Sequence, residues 1–506
     1  MPLTRWQPPA LRHDVDDDGR VTWLELFFDL IYVAALIQLG DRLSSDVSWS
    51  GGAAFVGAFV VLWWTWTGTT AFTNRFAVDD VPHRLLTFAQ MFAVGNLAVL
   101  AAVTPDDWRM WFPLTYVAAR IPLLIMYWRA RQRMPVSRPI VDFYLVVFGA
   151  GSAIWLASLL LPEEARPWAW AIGLIVEFLG PVFGGMRGEG SPLHDEHFQE
   201  RYALFTVIVL GETFVKTLSE VSDTGFAWER QLYGMLSFVI LVALWWTYFD
   251  DIADSHLRRT GILGMAPGRN RLVWVYVHLP LAGGITAYGV AAKKIVGEDA
   301  LDATFKDTYT WLLAIALAVV LVSVAVLDVV TDSPHFAVGT QSRTVPRVVA
   351  AALIVLLAPF IANGSIGAFP GIGLVALIVV VQIAFEVVLA QKNEKRIDAA
   401  VASHVESSIG TCEHLDHASG LDVPDHIGCS ECERLGVPWV QLRQCLSCGH
   451  IACCDDSPGH HATLHYERTG HPVMVSLEPG AQWAYCFAHD VTDPTWQAPA
   501  HEPADT

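Results

Sequence analysis

Trp23-Leu24-Glu25-Leu26-Phe27-Phe28-Asp29-Leu30 runs without a break into the apolar stretch Ile31 to Leu39, and so places two carboxylates inside a segment of membrane-spanning length. Glu25 and Asp29 are four residues apart and share one face of a helix, while Leu26, Phe27, Leu30, Ile31 and Val33 spread around the rest. An ionised carboxylate in hydrocarbon is costly, so both side chains should face a protein interior or a polar cavity and should have partners there. The plainer alternative puts Glu25 at headgroup level and gives Asp29 one structural hydrogen bond.

Composition fits that reading. The chain has 506 residues, 53% hydrophobic and 16% charged, with 20 Trp, and its mean hydropathy is +0.39. This is the composition of a polytopic membrane protein with the lipid bilayer as its solvent. The net charge is -19, and no nucleic-acid partner is expected. All eight cysteines lie between Cys412 and Cys486, so the rest of the chain can hold no disulfide.

Eleven further apolar runs follow, near 51–72, 82–103, 108–128, 139–161, 167–186, 202–220, 230–250, 271–292, 308–330, 345–363 and 367–390. With the opening stretch they predict about twelve transmembrane helices, in a membrane domain over 21–392 behind a polar segment over 1–20. Within and beside that segment, Asp14 to Glu25 matches the calcium-loop pattern, although Pro8 and Pro9 make a poor entering helix and chance is the stronger reading. Arg129, Arg131, Arg133 and Arg138 follow the fourth run, and Arg258, Arg259, Arg269 and Arg271 follow the eighth. The positive-inside rule then places both termini in the cytoplasm of a multi-pass cell-membrane protein.

An internal repeat is also visible. Leu62-Trp63-Trp64-Thr65-Trp66 in the second run is answered by Leu244-Trp245-Trp246-Thr247-Tyr248 in the eighth, and Arg84-Leu85 by Arg271-Leu272. The chain therefore reads as two six-helix halves of the same orientation, a 6+6 all-α bundle.

The seventh run opens with His197-Phe198-Gln199-Glu200-Arg201-Tyr202 and continues to Leu210-Gly211-Glu212. His197 and Glu200 could pair at helical spacing. Together with Arg120 in the fourth run, the residues Glu25, Asp29, His197, Glu200, Arg201 and Glu212 form the candidate intramembrane polar site. Taken one by one these are more often structural pairs than functional groups. Glu25-Leu-Phe-Phe-Asp29 and His197-Phe-Gln-Glu-Arg201-Tyr to Glu212 closely resemble the two signature stretches of the low temperature requirement A (LtrA) family of bacterial membrane proteins, over roughly residues 20 to 395. That family brings no firmly established molecular activity.

After Ala390 the composition turns polar. A linker over 393–411 leads to a small α+β unit over 412–490 and a proline-containing tail over 491–506, read as disordered. The unit carries Cys412-x-His414, Cys429-x-x-Cys432, Cys445-x-x-Cys448, Cys453-Cys454, His461-x-x-x-His465, His471 and Cys486-x-x-His489. Thiolates two residues apart grip one tetrahedral ion, and zinc supplies the stability that a small core lacks. Cys445-Leu-Ser-Cys448-Gly-His to His461-Ala-Thr-Leu-His465 and Gly470-His471-Pro472 resemble the ubiquitin-protease-type zinc finger. The resemblance implies three zinc ions, held by Cys412, His414, Cys486 and His489, by Cys429, Cys432, Cys453 and His461, and by Cys445, Cys448, His465 and His471. Cys454 and His460 are spare candidates. Fingers of this type hold the free C-terminal tail of ubiquitin, but Asp455 and Asp456 stand where an Arg would receive its carboxylate, so that partner is disfavoured and another peptide or protein partner stays open.

Three function classes remain, in this order: a transporter or channel-like conduit with a zinc-binding regulatory module, a membrane-anchored zinc-finger scaffold, and an intramembrane enzyme. The last is disfavoured because no nucleophile with a base, no phosphate-binding Gly-rich loop and no open metal site is visible. A homo-oligomer in the bilayer is compatible with this reading.

Overall fold

The computed structural model describes residues 9–12, 21–102, 105–184, 193–224, 227–250, 256–257, 267–297, 306–332, 341–408, 412–418, 427–435, 437–478 and 483–496. It forms two compact units, 1–391 and 392–506.

The first unit is helical: α1 (Trp23–Ser45), α2 (Trp49–Arg75), α3 (Val81–Ala102), α4 (Pro105–Arg133), α5 (Arg138–Ala157), α6 (Arg166–Gly184), α7 (Asp195–Thr224), α8 (Trp228–Phe249), α9 (Pro267–Val296), α10 (Asp307–Val330), α11 (Gln341–Ala362) and α12 (Ala368–Ser408). Each of the twelve apolar runs falls on one of these. Eleven of them are long and apolar enough to cross a membrane, and α7 lies outside that set. Its buried face carries His197, Arg201, Glu212 and Lys216. The expectation of twelve spans is thus met in helix number, while by length and composition the described residues give eleven.

Local chemistry starts the first helix. Thr22 caps α1, its Oγ1 accepting from Glu25 N at 3.3 Å while Glu25 Oε2 accepts from Thr22 N at 2.9 Å, so one of the two signature carboxylates also closes a capping box.

The packing of the first half recurs in the second. α1 packs on α3 as α7 packs on α9, α1 on α2 as α7 on α8, α3 on α4 as α9 on α10, and α4 on α5 as α10 on α11. The first of these pairs is parallel in both halves: the Phe27 and Phe88 rings meet at 6.5 Å and Arg42 Nη1 donates to Ala102 O at 3.3 Å, while Thr213 Oγ1 donates to Ile285 O at 3.3 Å and Lys293 Nζ lies 3.8 Å from Glu220. The repeated tryptophans meet opposite fates. Trp63, Trp64 and Trp66 are fully buried at the centre of the bundle, whereas Trp245 and Trp246 are 45% and 43% exposed. Two short antiparallel pairs join β1 (Ala10–Leu11) to β2 (Phe76–Ala77) and β3 (His256–Leu257) to β4 (Thr331–Asp332).

In the second unit, β5 (Leu442–Cys445), β6 (Ile451–Cys453), β7 (Val473–Ser476), β8 (Ala484–Cys486) and β9 (Val491–Asp493) form an antiparallel sheet in the order β6-β5-β7-β8-β9. The helices α13 (Glu413–Asp416), α14 (Ser430–Leu435) and α15 (His461–Thr469) accompany it. Two boundaries differ from expectation. The polar stretch after Ala390 continues α12 to Ser408, because its Ala, Glu, Lys and Arg residues favour helix and no Gly or Pro interrupts them. Residues 491–493 form the edge strand β9 and Trp496 packs against the core, so an ordered strand opens the expected tail.

Candidate polar site and candidate metal centres

The signature stretches of α1 and α7 face each other. Arg201 Nη2 lies 2.6 Å from Asp29 Oδ1 and Nη1 lies 3.1 Å from Glu25 Oε1, so one guanidinium bridges the two carboxylates. Trp66 Nε1, from α2, donates to the same Asp29 oxygen at 2.7 Å. His197 Nε2 is 3.4 Å from Glu25 Oε2, and Asn74 Nδ2 is 3.2 Å from His197 Nδ1. Every one of these side chains is buried, and Asp29 is fully so. A small cavity of about 10 Å³, enough for one water, is lined by Leu24, Glu25, Phe28, Thr69, Thr73, His83, Thr87 and Arg201. Asp29 Oδ2 accepts no hydrogen bond.

One member of this cluster has no signal in the sequence. Arg12, just beyond β1, is 5% exposed; its Nε and Nη2 donate to Thr73 O at 3.2 Å and its Nη2 lies 3.7 Å from Glu25 Oε1. It sits in a segment that reads as a polar terminus, and only the β1–β2 pairing carries it to the bundle. Asp14 to Gly19 of the calcium-loop pattern lie outside the described residues, and Glu25, its last ligand, is engaged by Thr22, Arg201 and His197.

The other expected site residues separate. Glu200 is exposed and is not paired with His197, whose buried ring lies 3.4 Å from Glu25 instead. Arg120 belongs to a second buried cluster: its Nη2 is 2.5 Å from Glu177 Oε2, which also accepts from Tyr116 OH at 2.8 Å and Trp64 Nε1 at 3.0 Å. Glu212 does not join Asp29 and Arg201; its ion pair is with Lys216, one turn on, at 2.8 Å. A further cluster joins Arg347 to Asp328 and to Glu386, the latter by two bonds of 2.9 Å. Charge is thus neutralised in several places, each by an Arg or Lys with its acids.

In the second unit all twelve expected ligands assemble into three groups of four: Cys412, His414, Cys486 and His489; Cys429, Cys432, Cys453 and His461; and Cys445, Cys448, His465 and His471. Within each group the donor atoms lie within 4.8 Å of one another. A tetrahedral zinc with Zn–S near 2.3 Å sets its ligands about 3.8 Å apart. In the second group the Cys432 and Cys453 sulfurs are 3.6 Å apart, near that edge, and His461 Nδ1 lies 3.2, 3.3 and 3.4 Å from the sulfurs of Cys429, Cys432 and Cys453, a little inside the tetrahedral N···S edge of about 3.6 Å. The donor set, thiolate and imidazole only, is that of structural zinc, and such a finger with these Cys and His clusters points to zinc binding. Burial and the neighbouring Cys429 and Cys453 thiols push Cys432 up to about 12, so an incoming ion has to expel protons from this group.

The spare candidates drop out. Cys454 lies 3.4 Å from Ser457 Oγ and outside the three groups, and His460 turns outward in the left-handed region as the residue before α15. Asp455 accepts from Thr463 Oγ1 at 2.7 Å. A basic residue that the sequence does not single out, Arg443 on β5, stacks over the Trp483 ring at 4.6 Å. Its signal is weak because it lies two residues ahead of a metal ligand, not after one.

Comparison with known proteins agrees with this division. The family of Zn-fingers in ubiquitin-hydrolases and other proteins matches residues 429–496. That stretch omits Cys412 and His414, which the fold returns to Cys486 and His489. An uncharacterized protein of Rhizobium meliloti (strain 1021) is 30% identical over 302 residues, 56% of this chain and 71% of the relative. Ubiquitin carboxyl-terminal hydrolase 14 of Schizosaccharomyces pombe (strain 972 / ATCC 24843) is 30% identical over 98 residues, which is 17% of this chain and only 12% of that enzyme. A solution NMR structure of a Rhodopseudomonas palustris protein is 39% identical and covers 19% of this chain and 95% of its own, with a TM-score of 0.17. The bacterial low temperature requirement A description matches residues 20–385, which take in α1 to α11, most of the apolar part of α12 and the Glu25, Asp29 and Arg201 cluster, and the chain therefore belongs to the LtrA family.

Proposed function

We propose that the bundle is a membrane transporter for a small solute or ion, worked by the cluster of Glu25, Asp29, His197 and Arg201, and that the zinc-finger unit regulates it or docks a partner. The observation that carries this reading is the bridging of Glu25 and Asp29 by Arg201 between α1 and α7, the matching first helices of the two halves. Charges there are expensive, and a bundle that only anchored a finger would be more stable with apolar residues in their place. A rearrangement that exchanged Arg201 for a transported cation, or a proton for Asp29, would alter the packing of one half against the other.

Full-length protein in proteoliposomes, screened with a panel of ions and small solutes, tests the reading: a flux is expected, and Asp29→Asn should abolish it while leaving the protein folded. A large fall in melting temperature for Asp29→Asn would assign the pair to structure instead. The second reading, a membrane-anchored scaffold, is favoured by the one-water size of the cavity and by the closed pairing of its charges.

In the same reading the finger holds three structural zinc ions through the twelve residues named above, and faces the cytoplasm of the cell together with the N-terminus. Metal analysis of purified protein should give close to three equivalents, and reporters fused after Thr506 or near Arg131 should read as cytoplasmic. The finger's partner is taken to be a peptide or protein other than a ubiquitin tail, and no peptidase activity is proposed.

A further inference from the structure

The α1–α7 interface has a second polar end. Eleven residues, three turns, separate Arg201 from Glu212, so both lie on the face of α7 that meets α1. The two helices run parallel: Glu25 meets His197, Asp29 meets Arg201, and Gly40 lies against Lys216, so close that a Cβ on Gly40 would stand 2.0 Å from Lys216 Nζ. Glycine at position 40 is what leaves room for the buried ammonium. Between the two ends the interface is apolar, with Val33 and Leu36 buried on α1 and Phe205 on α7 packed against Trp66 at 4.4 Å.

The second end is chemically unlike the first. Glu212 and Lys216 are 5% and 6% exposed and pair at 2.8 Å through Glu212 Oε1, and no second donor to Glu212 is found among the described residues. Asp29, by contrast, is held by Trp66 and Arg201. A buried carboxylate held by one flexible ammonium has less support for its charge than one held by a guanidinium and an indole N–H together. Beyond it the face grows wetter: Glu220, one turn past Lys216, is partly exposed and lies 3.8 Å from Lys293 of α9. Exposed Asp41 follows Gly40 on α1, and α8 begins with Glu229 and Arg230.

We propose that Glu212 is a proton-binding site, the second station of one route along the α1–α7 interface whose first station is Asp29 with Arg201. The proposal rests on the transport reading above. The step adds a proton to one Glu212 oxygen and breaks no covalent bond; Lys216 keeps its charge and is released toward Asp41 and Glu220. Lys216 is a positioning residue, and the apolar layer of Leu36, Phe205 and Trp66 keeps the two stations from being wetted together.

Infrared titration of the purified full-length protein reads the site without any transported solute. A carboxylic-acid band should grow as pH is lowered over the range in which the protein stays folded, and Glu212→Gln should remove it. Lys216→Met should move the same titration upward by about one pH unit or more, because an opposing charge is lost. Glu212→Gln combined with Lys216→Met strands no charge and gives a folded reference if the single variant misfolds. A band unchanged in the double variant, or no titrating carboxyl in this range, overturns the proposal. Proton movement into proteoliposomes, followed with a pH-sensitive dye, separates it from the transport reading: a Glu212 band in a protein that moves no protons keeps the binding site and removes the route.

Discussion

The membrane bundle and the C-terminal unit both gather ionisable side chains into clusters, buried in the bundle and in one of the finger's three groups, and they neutralise them in opposite ways. Among the described residues of the bundle these clusters contain their own counter-charges: Arg201 between Glu25 and Asp29, Arg120 against Glu177, Arg347 between Asp328 and Glu386, Lys216 beside Glu212. In the finger the three ligand groups found among the described residues are made of thiols and imidazoles. The contrast separates the part that needs an outside ion from the part that does not. A chain that carries its own counter-ions can fold as soon as its helices meet, whereas a thiol cluster is stable as thiolate only when a metal arrives.

The largest test of that contrast is metal removal. Structural zinc contributes about 10–16 kcal/mol per site in small fingers, so strong chelators, or Cys429→Ser, should unfold the C-terminal unit. The bundle should keep its melting temperature. Circular dichroism and limited proteolysis read the two units separately, and a bundle that melted with the finger would break the comparison. Acid should act in the same direction as chelation, because protons and zinc compete for the same thiolates and imidazoles, so metal release should grow as pH falls.

The next effect in size is the loss of a counter-ion inside the bundle. Arg201→Met leaves Glu25 and Asp29 without their shared cation and should cost about 3–5 kcal/mol, visible as a clear fall in the melting temperature of detergent-solubilised protein. Zinc content should not change. A smaller loss, about 1 kcal/mol, is expected for Thr22→Ala, which removes the cap of α1 and one of Glu25's donors. The smallest is Cys454→Ser: this thiol lies outside the three ligand groups, so zinc stoichiometry should stay at the wild-type value. A lost equivalent would show that Cys454, not Cys453, is the ligand.

Much of the architecture is legible in the residues alone. Twelve apolar runs mark twelve helices, since a helix in hydrocarbon must be about twenty apolar residues long to satisfy its own backbone and reach across. The spacings alone give the finger's thiol pairs, and the three interleaved ligand groups follow from the resemblance to a known pattern. The polar extension of α12 to Ser408 escapes a reading based on hydropathy, because charge there suggests a linker although residues of that kind propagate a helix well.

Near neighbours along the chain are enough to dictate helix periodicity, the capping box at Thr22 and Glu25, the two-residue thiol pairs and the repeat of Trp-Trp-Thr. Which distant charges meet is settled only when the helices pack. Asp29 and Arg201 are 172 residues apart and Arg120 and Glu177 are 57 apart, and nothing local distinguishes the acid that will find an arginine from the one that will stay exposed. Glu200 lies at the surface and Arg12 in the interior because helix rotation and one short β pairing set their directions. The same reason parts the two tryptophan clusters: a motif fixes the shape of a turn of helix, but only the packing of other helices decides whether that turn is core or lipid-facing surface.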